Sequence, residues 1–515
     1  MNTTYKTNDK KNHAPWARVG VLALSIVCLS TLSAGGRAIT DTDILNAVHA
    51  TQRTDDAVPA DRIDVEVQDG VVTLDGTVGH LLARERAQEI AEAITGVRAI
   101  VNLIDVDPVV TPADTALADS VTNAWLEDPA VYSYELHATA EDGVVTLTGT
   151  VDSYAKRELA ETVAKGVWGV QAIENEIAVE YELERQDFEI EREIEARLQH
   201  DVRVDDGLIT VEVDDGVVTL SGSVGSLQEK SQARSNAWVA GVDRVEDDEL
   251  IVEYWRRDDD IRRRSEYLAF TDEEIREAVR DAFRYDPRVS PFDPVVTVSD
   301  GTVTLSGTVD NLAAKRAAGQ TARNTMGVVR VNNYLDVRPD VVDDVELQDR
   351  VEEALEDELL LQRHDIRVSV HDSRAYLAGD VDTSYERNRA ERAAEGVRGV
   401  VDVVNNITYE HRWIWSPDRE IRENVRDRLR FNALVDEGDI ELSVDDGVVT
   451  LSGTVDSWTE QDEAERSAYQ GGAKTVENEL TVRYPYYGPR GPGYYGDPYY
   501  RVHPFVPRQQ LDPLY

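Results

Sequence analysis

The sequence predicts an α+β protein of tandem repeats, each a small α-β-β-α-β module with a three-stranded mixed sheet and two helices. Three observations carry that prediction: a ten-residue phrase written six times, an alanine pair at a fixed distance after it, and a Gly-to-Asn stretch after the alanines. At residues 215–224 the phrase reads Asp-Gly-Val-Val-Thr-Leu-Ser-Gly-Ser-Val, with near copies at 69–78, 142–151, 300–309 and 446–455. The copy at 372–381 is worn, with Ser373 in place of the first glycine. Alternation of apolar and polar residues with period two marks a strand. The leading Asp-Gly marks a tight primed turn, because glycine adopts positive φ freely. Each copy therefore reads as the turn and second strand of a hairpin.

The turn position serves as a ruler: Gly70, Gly143, Gly216, Gly301, Ser373 and Gly447, in steps of 73, 73, 85, 72 and 74 residues. Five steps of this kind give six modules, and the junction between the third and fourth is the long one. Module four shows the element order. Thr271-Asp272-Glu273-Glu274 is an N-cap with acidic first-turn residues. Ile275, Ala278, Val279, Ala282 and Phe283 fall on one helical face, and Asp286-Pro287 ends the helix. Residues 295–298 form a strand, Asp300-Gly301 the turn, and 303–309 the second strand. Asp310-Asn311 caps a second helix that runs to about Asn324, Met326-Gly327 ends it, and 329–337 is a third strand.

The second helix carries the packing signal. The second glycines of the hairpin strand are Gly76, Gly149, Gly222, Gly307, Gly379 and Gly453. Eleven residues later stand Ala87, Ala160, Ala233, Ala318, Ala390 and Ala464; fifteen later stand Ala91, Ala164, Ala237, Ala322, Ala394 and Ala468. Residues four apart are neighbours on a helix face, so a small-residue stripe lets this helix lie close on its sheet. After it, a polar residue always follows six beyond a glycine: Asn102, Asn175, Asp247, Asn333, Asn405 and Asn478. Its repetition suggests one structural hydrogen bond or a shared edge position. The boundaries drawn this way are 40–107, 112–181, 186–254, 271–338, 343–410 and 416–484, with an Arg-rich linker at 255–270 and a tail at 485–515.

The element order, the Asp-Gly-Val-Val-Thr-Leu-Ser-Gly-Thr-Val phrase and the later Gly-Val strand resemble the BON domain, the family of bacterial osmotically inducible and nodulation proteins. The resemblance covers roughly residues 40–484 in six copies. Module five departs most, with His371-Asp372-Ser373-Arg374 at the turn and Tyr376 in place of a threonine. The resemblance implies association with phospholipid membranes or envelope complexes, and protection of the envelope under osmotic stress.

The first residues have a separate role. Lys6, Lys10, Lys11 and Arg18 precede an apolar run over 19–32, then Ser33-Ala34-Gly35-Gly36. This order is that of a secretory signal, cleaved near residues 35–38, and places the mature chain in the periplasm. The alternative is an uncleaved anchor, although the run is shorter than the roughly 20 residues that span a bilayer. The sole cysteine, Cys28, lies inside the run, so the mature chain has no disulfide, thiol nucleophile or thiolate metal site.

Charge and motifs narrow the function classes. A net charge of −46, spread along the chain, argues against nucleic acid, which needs phosphate-neutralising basic surface. The nine histidines share no repeat position and show no metal spacing. No phosphate-binding loop or nucleophile elbow occurs. Asp214-Asp215 and Asp445-Asp446 lack the ladder of a calcium loop and read as turn residues. No catalytic, cofactor-binding or metal site is expected, and no small-molecule substrate.

The expected activity is multivalent binding by a non-enzymatic envelope protein, because linked weak modules raise each other's effective concentration. The candidate membrane or partner contacts are the aromatics near the head of the second helix, Tyr154, Tyr385 and Trp458, with Leu81, Leu227 and Leu312 at or near the matching place. A staple within the module's own helix is the plainer reading. The dense basic stretch Arg256, Arg257, Arg262, Arg263 and Arg264 is a second candidate, set against a solvated linker helix. Trp413 and Trp415 are a third, set against a sealed joint between modules. The Pro/Gly/Tyr-rich tail cannot build a core and reads as an extended ligand or a passive end. The alternative function is a protein-interaction scaffold that self-associates or serves an envelope channel or secretion complex.

Overall fold

A computed structural model describes residues 39–55, 57–108, 112–131, 134–181, 185–254, 270–339, 342–358, 361, 363–381, 384–409 and 416–482. Residues 1–38, the arginine stretch at 256–264, Trp413, Trp415 and residues 483–515 lie outside the described residues, and with them the expected leader and tail.

Each module repeats one path. Module one runs α1 (Asp41–Thr54), β1 (Ile63–Gln68), β2 (Val71–Val78), α2 (Leu81–Glu92) and β3 (Ala99–Val106). Module two runs α3 (Asp114–Glu127), β4 (Leu136–Glu141), β5 (Val144–Val151), α4 (Tyr154–Lys165) and β6 (Ala172–Val179). Module three runs α5 (Asp187–His200), β7 (Ile209–Asp214), β8 (Val217–Val224), α6 (Leu227–Ala237) and β9 (Arg244–Val252). Module four runs α7 (Asp272–Arg284), β10 (Val295–Ser299), β11 (Thr302–Val309), α8 (Leu312–Arg323) and β12 (Arg330–Val337). Module five runs α9 (Asp344–Asp357), β13 (Arg367–His371), β14 (Arg374–Val381), α10 (Ser384–Gly396) and β15 (Asp402–Tyr409). Module six runs α11 (Asp418–Phe431), β16 (Ile440–Asp445), β17 (Val448–Val455), α12 (Trp458–Gln470) and β18 (Thr475–Val482). In every sheet the middle strand is the second half of the hairpin, antiparallel to the first strand and parallel to the third. The α+β repeat architecture read from the sequence is the one observed.

The hairpin turn is held from outside. Asp69 and Gly70 both have positive φ, 51° and 75°, as a primed turn requires. Their two N–H groups donate to the carboxylate of Asp41, at the start of α1, over 2.9 Å each. Asp187, Asp272, Asp344 and Asp418 receive the same pair in their modules. The worn turn of module five survives for this reason: Asp372 and Ser373 stand at φ of 52° and 59° and both donate to Asp344. The second glycine answers to a different constraint. A Cβ on Gly222 would lie 2.0 Å from the carbonyl oxygen of Leu208, and Gly76, Gly149, Gly379 and Gly453 are crowded by a carbonyl in the same way, whereas Gly307 of module four has room for a side chain.

All twelve alanines of the stripe are fully buried, at 0% exposure, between the second helix and the sheet. The recurring polar residue proves to be a tie between the same two elements. Asn333 donates from Nδ2 to the Lys315 carbonyl on α8 over 2.7 Å, and its Oδ1 accepts from the N–H of Leu335. Asn102, Asn405 and Asn478 make the same two bonds. Around each tie the core is aliphatic, as with Ile275, Val279, Phe283, Val303, Leu305 and Leu335 in module four.

One core position breaks the pattern. Eleven residues into the first helix stand Trp125, Leu198, Phe283, Leu355 and Leu429, all buried. In module one that position is Gln52, equally buried, with neither amide atom hydrogen-bonded. A buried amide without partners costs about 1–3 kcal/mol. Gln52→Leu is therefore expected to stabilise the protein by an amount in that range, seen as a higher urea midpoint of unfolding at unchanged slope; an unchanged or lower midpoint shows that the amide has a partner in solution.

Candidate interaction surface

The second helices present their stripe to the sheet and their ends to each other. In module two, Tyr154 opens α4 and its ring stacks on Trp238, just past α6, with centroids 3.9 Å apart and planes 4° from parallel. Burial raises the phenol's pKa, and neighbouring Glu158 adds to the rise. Leu81, at the head of α2, is buried in the core of module two rather than that of module one. Leu312, at the head of α8, packs against the core of module five. Trp458, at the head of α12, lies under the Arg323 guanidinium of module four, 5.8 Å from the ring centroid. Leu227 packs on its own module's core. Tyr385 is in the first turn of α10, and its side chain lies outside the described residues.

Polar pairs sit one or two turns deeper in the same joints. Lys165, at the end of α4, bridges Glu85 of α2 over 2.6 Å. Glu395, at the corresponding place in α10, bridges Arg316 of α8. Ser231 of α6 donates to Glu92 of α2 over 3.4 Å, and Thr459 of α12 donates to Asn324, after α8, over 3.2 Å. The rule is the same each time: the first two turns of one second helix meet the last turn of another. Of the head positions singled out in the sequence, Leu81, Tyr154, Leu312 and Trp458 meet another module and Leu227 does not. Their partners Trp238, Lys165, Arg323 and Glu395 are not legible in the sequence, because they sit where an exposed helix end would also place such residues.

Two further joints are made by backbone. The N–H of Met326 donates to the His200 carbonyl over 2.8 Å, and that of Val202 to the Asn324 carbonyl over 3.1 Å, joining modules three and four. The N–H of Thr95 donates to the Phe431 carbonyl and that of Ala433 to the Ala93 carbonyl, both over 2.8 Å, joining modules one and six. Side chains reinforce each: Arg197 lies over the Tyr285 ring, 4.3 Å from its centroid, and Arg428 donates to the Ala50 carbonyl over 2.8 Å. Burial lowers both guanidinium pKa values to about 10.

Groups that bear on chemistry are few. A cleft of about 390 Å³ in module five is lined by Glu352, Glu356, His364 and Asp365 beside the apolar Leu355, Leu361 and Ile366. His364 is held 3.2 Å from Glu386. Among the described residues, no three potential metal ligands gather, and no helix is long and apolar enough to cross a membrane.

The fold and these joints define a class: a multi-module protein whose repeated α-β-β-α-β units dock on one another by their second helices. The chain belongs to the BON domain family, whose pattern it matches at residues 40–108, 113–181, 186–254, 271–339, 343–411 and 417–484. It is 30% identical over 154 residues to Osmotically-inducible protein Y of Escherichia coli (strain K12), covering 29% of this chain and 77% of that protein. Among solved structures it matches CdsD, described as a structural protein of the type III secretion system of Chlamydia trachomatis, at 12% identity and a TM-score of 0.11, over 41% of this chain and 92% of the other. The C-terminal domain of CdsD gives 12% identity and a TM-score of 0.12, over 42% and 100%.

Two measurements test this surface. A double-mutant cycle on Tyr154→Ala and Trp238→Ala is expected to give a coupling of about 0.5–1.5 kcal/mol, the usual worth of a stacked pair; additive effects would mean that the rings do not meet. The second concerns Glu460 of α12. Burial pushes its pKa from 4.5 up to about 7, although the N–H groups of Asp436 and Asp456 donate to it and pull it down. The folded state thus holds a proton that the unfolded state has released. Its contribution is full below about pH 4.5 and is lost as pH rises through about 7, on the order of 3 kcal/mol in total. Amide protection of β17, corrected for intrinsic exchange, should fall between pH 5.5 and 7.5, and Glu460→Gln should flatten that fall.

Proposed function

We propose that the protein is a non-enzymatic cell-envelope protein that guards the envelope under osmotic stress, working as an array of BON modules docked through their second helices. The observation that carries the reading is the use of one joint rule by successive modules, with Leu81, Tyr154, Leu312 and Trp458 each set against another module. Likeness to an osmotically inducible protein supports the stress setting. The basic and apolar leader over residues 6–32 supports export, and a periplasmic location follows from its cleavage. An acidic array of net charge −46 remains soluble and repels its own copies at a distance, which suits a protein that must stay dispersed in a crowded compartment.

A second reading, contact with phospholipid, is favoured by one observation. On the sheet face of module four away from the helices, Val295, Ser306 and Tyr334 form a row across three strands, and Val295 and Tyr334 are 57% and 69% exposed. Aromatic and apolar side chains on a face without acidic neighbours in that row suit the interfacial zone of a bilayer better than electrostatic attraction does.

Deleting the gene in its own host is expected to slow growth after osmotic upshift. Wild-type protein should restore growth, and a variant carrying Tyr154→Ala with Trp238→Ala should restore it poorly. Growth unaffected by deletion would overturn the stress role. Co-sedimentation of the mature protein with zwitterionic vesicles, surviving high salt and lost in Tyr334→Ser, is the outcome the lipid reading expects; no co-sedimentation at either low or high salt removes it.

A further inference from the structure

The joints repeat with a period of three modules. Modules one and two meet through Glu85 and Lys165, and modules four and five through Arg316 and Glu395, at matching helix positions with the charges reversed. Module three returns to module one through Ser231 and Glu92, and module six returns to module four through Thr459 and Asn324. The backbone joint of three with four, at His200 to Val202 and Asn324 to Met326, is made again by six with one, at Phe431 to Ala433 and Ala93 to Thr95.

The sequence carries the same period. Ten residues into the first helix stand Thr51, Ala124 and Arg197, then Ala282, Ala354 and Arg428. Only modules three and six place an arginine there, and those are the two that enter the backbone joint by the end of the first helix, at His200 and Phe431. At the last turn of the second helix, the aromatics are Trp238 and Tyr469, again in modules three and six. Modules two and five alone read Gly-Val-Trp-Gly-Val and Gly-Val-Arg-Gly-Val before the third strand, at Gly166 and Gly396. The buried Glu229 of module three and Glu460 of module six each accept two backbone N–H groups at matching places. The one long step in the repeat ruler falls between modules three and four, at the boundary this period defines.

We infer that modules one to three and modules four to six are two copies of one three-module body, and that the surface each presents to the other is a docking site for such a body. The occupant is the other three-module half of the same chain, which makes both backbone joints. Within one chain the tether makes docking intramolecular and favours the chain's own half. Once the tether is cut, halves from different copies become equivalent partners, because every half carries one of the two arginines and one side of each backbone joint.

This inference rests on the module-docking part of the reading above, not on the stress or lipid roles, so failure of those tests leaves it standing. The test uses the full chain with a protease site introduced between Trp255 and Ala269. After cutting in native buffer, the two halves should elute together at the mass of the uncut protein. Two cut preparations bearing different tags, unfolded together in urea and refolded, should yield mixed pairs when one tag is captured. Halves that elute separately while retaining their helical circular dichroism would overturn the proposal. Tyr285→Ala with Arg428→Ala should weaken the pairing of cut halves at least tenfold with the dichroism unchanged, whereas Glu85→Lys, inside one half, should leave the pairing unchanged. A double variant that pairs as tightly as the wild type would remove these joints as the docking site.

Discussion

The close approach of the second helix to its sheet is the constraint on which the rest depends. It is set by two alanines one turn apart and, in modules one, four, five and six, sealed by an asparagine that bonds the helix backbone from the strand beside it. A helix seated that deep has its middle occupied. What remains available is its head, its last turn and the side away from the sheet, and those are the parts that make the joints. The local packing rule thus decides where modules can touch.

Size explains why they touch. A domain of about 70 residues buries a smaller fraction of its surface than a larger one and is only marginally stable alone. Leu81 and Leu312 move apolar surface into a neighbour's core, where it serves two modules at once. The polar partners around them are individually weak: a half-exposed pair such as Lys165 with Glu85 is worth about 1 kcal/mol or less. Their part is to fix which helix end meets which. The reversal of charge between Glu85–Lys165 and Arg316–Glu395 fits that role, since either order of signs holds the same geometry.

Much of the fold was legible because its signals are local. The Asp-Gly turn, the period-two strand, the alanine pair and the Asn tie each lie within one module, and six copies amplify each of them. Even the reason for tolerance at Ser373 is written nearby, as Asp344 stands at the same distance before the turn that Asp41 and Asp272 keep. The joints were less legible. Tyr154 and Trp458 at a helix head look the same in a sequence whether they face lipid, their own helix or another module. Glu85 and Lys165 form a pair only because two helix ends from different modules are brought together. The period-three placement of Arg197 and Arg428 was open to reading, but it is a single residue per three modules, hidden among six copies compared as equals.

By itself, then, the sequence determined what each module is: turn, strand, stripe and tie are short-range demands of backbone geometry and side-chain volume that few other residues satisfy. The tertiary structure alone decided what the modules do with their remaining surface. Docking depends on which exposed ends come within a few ångströms across large separations in the chain, and no spacing in the sequence records that distance.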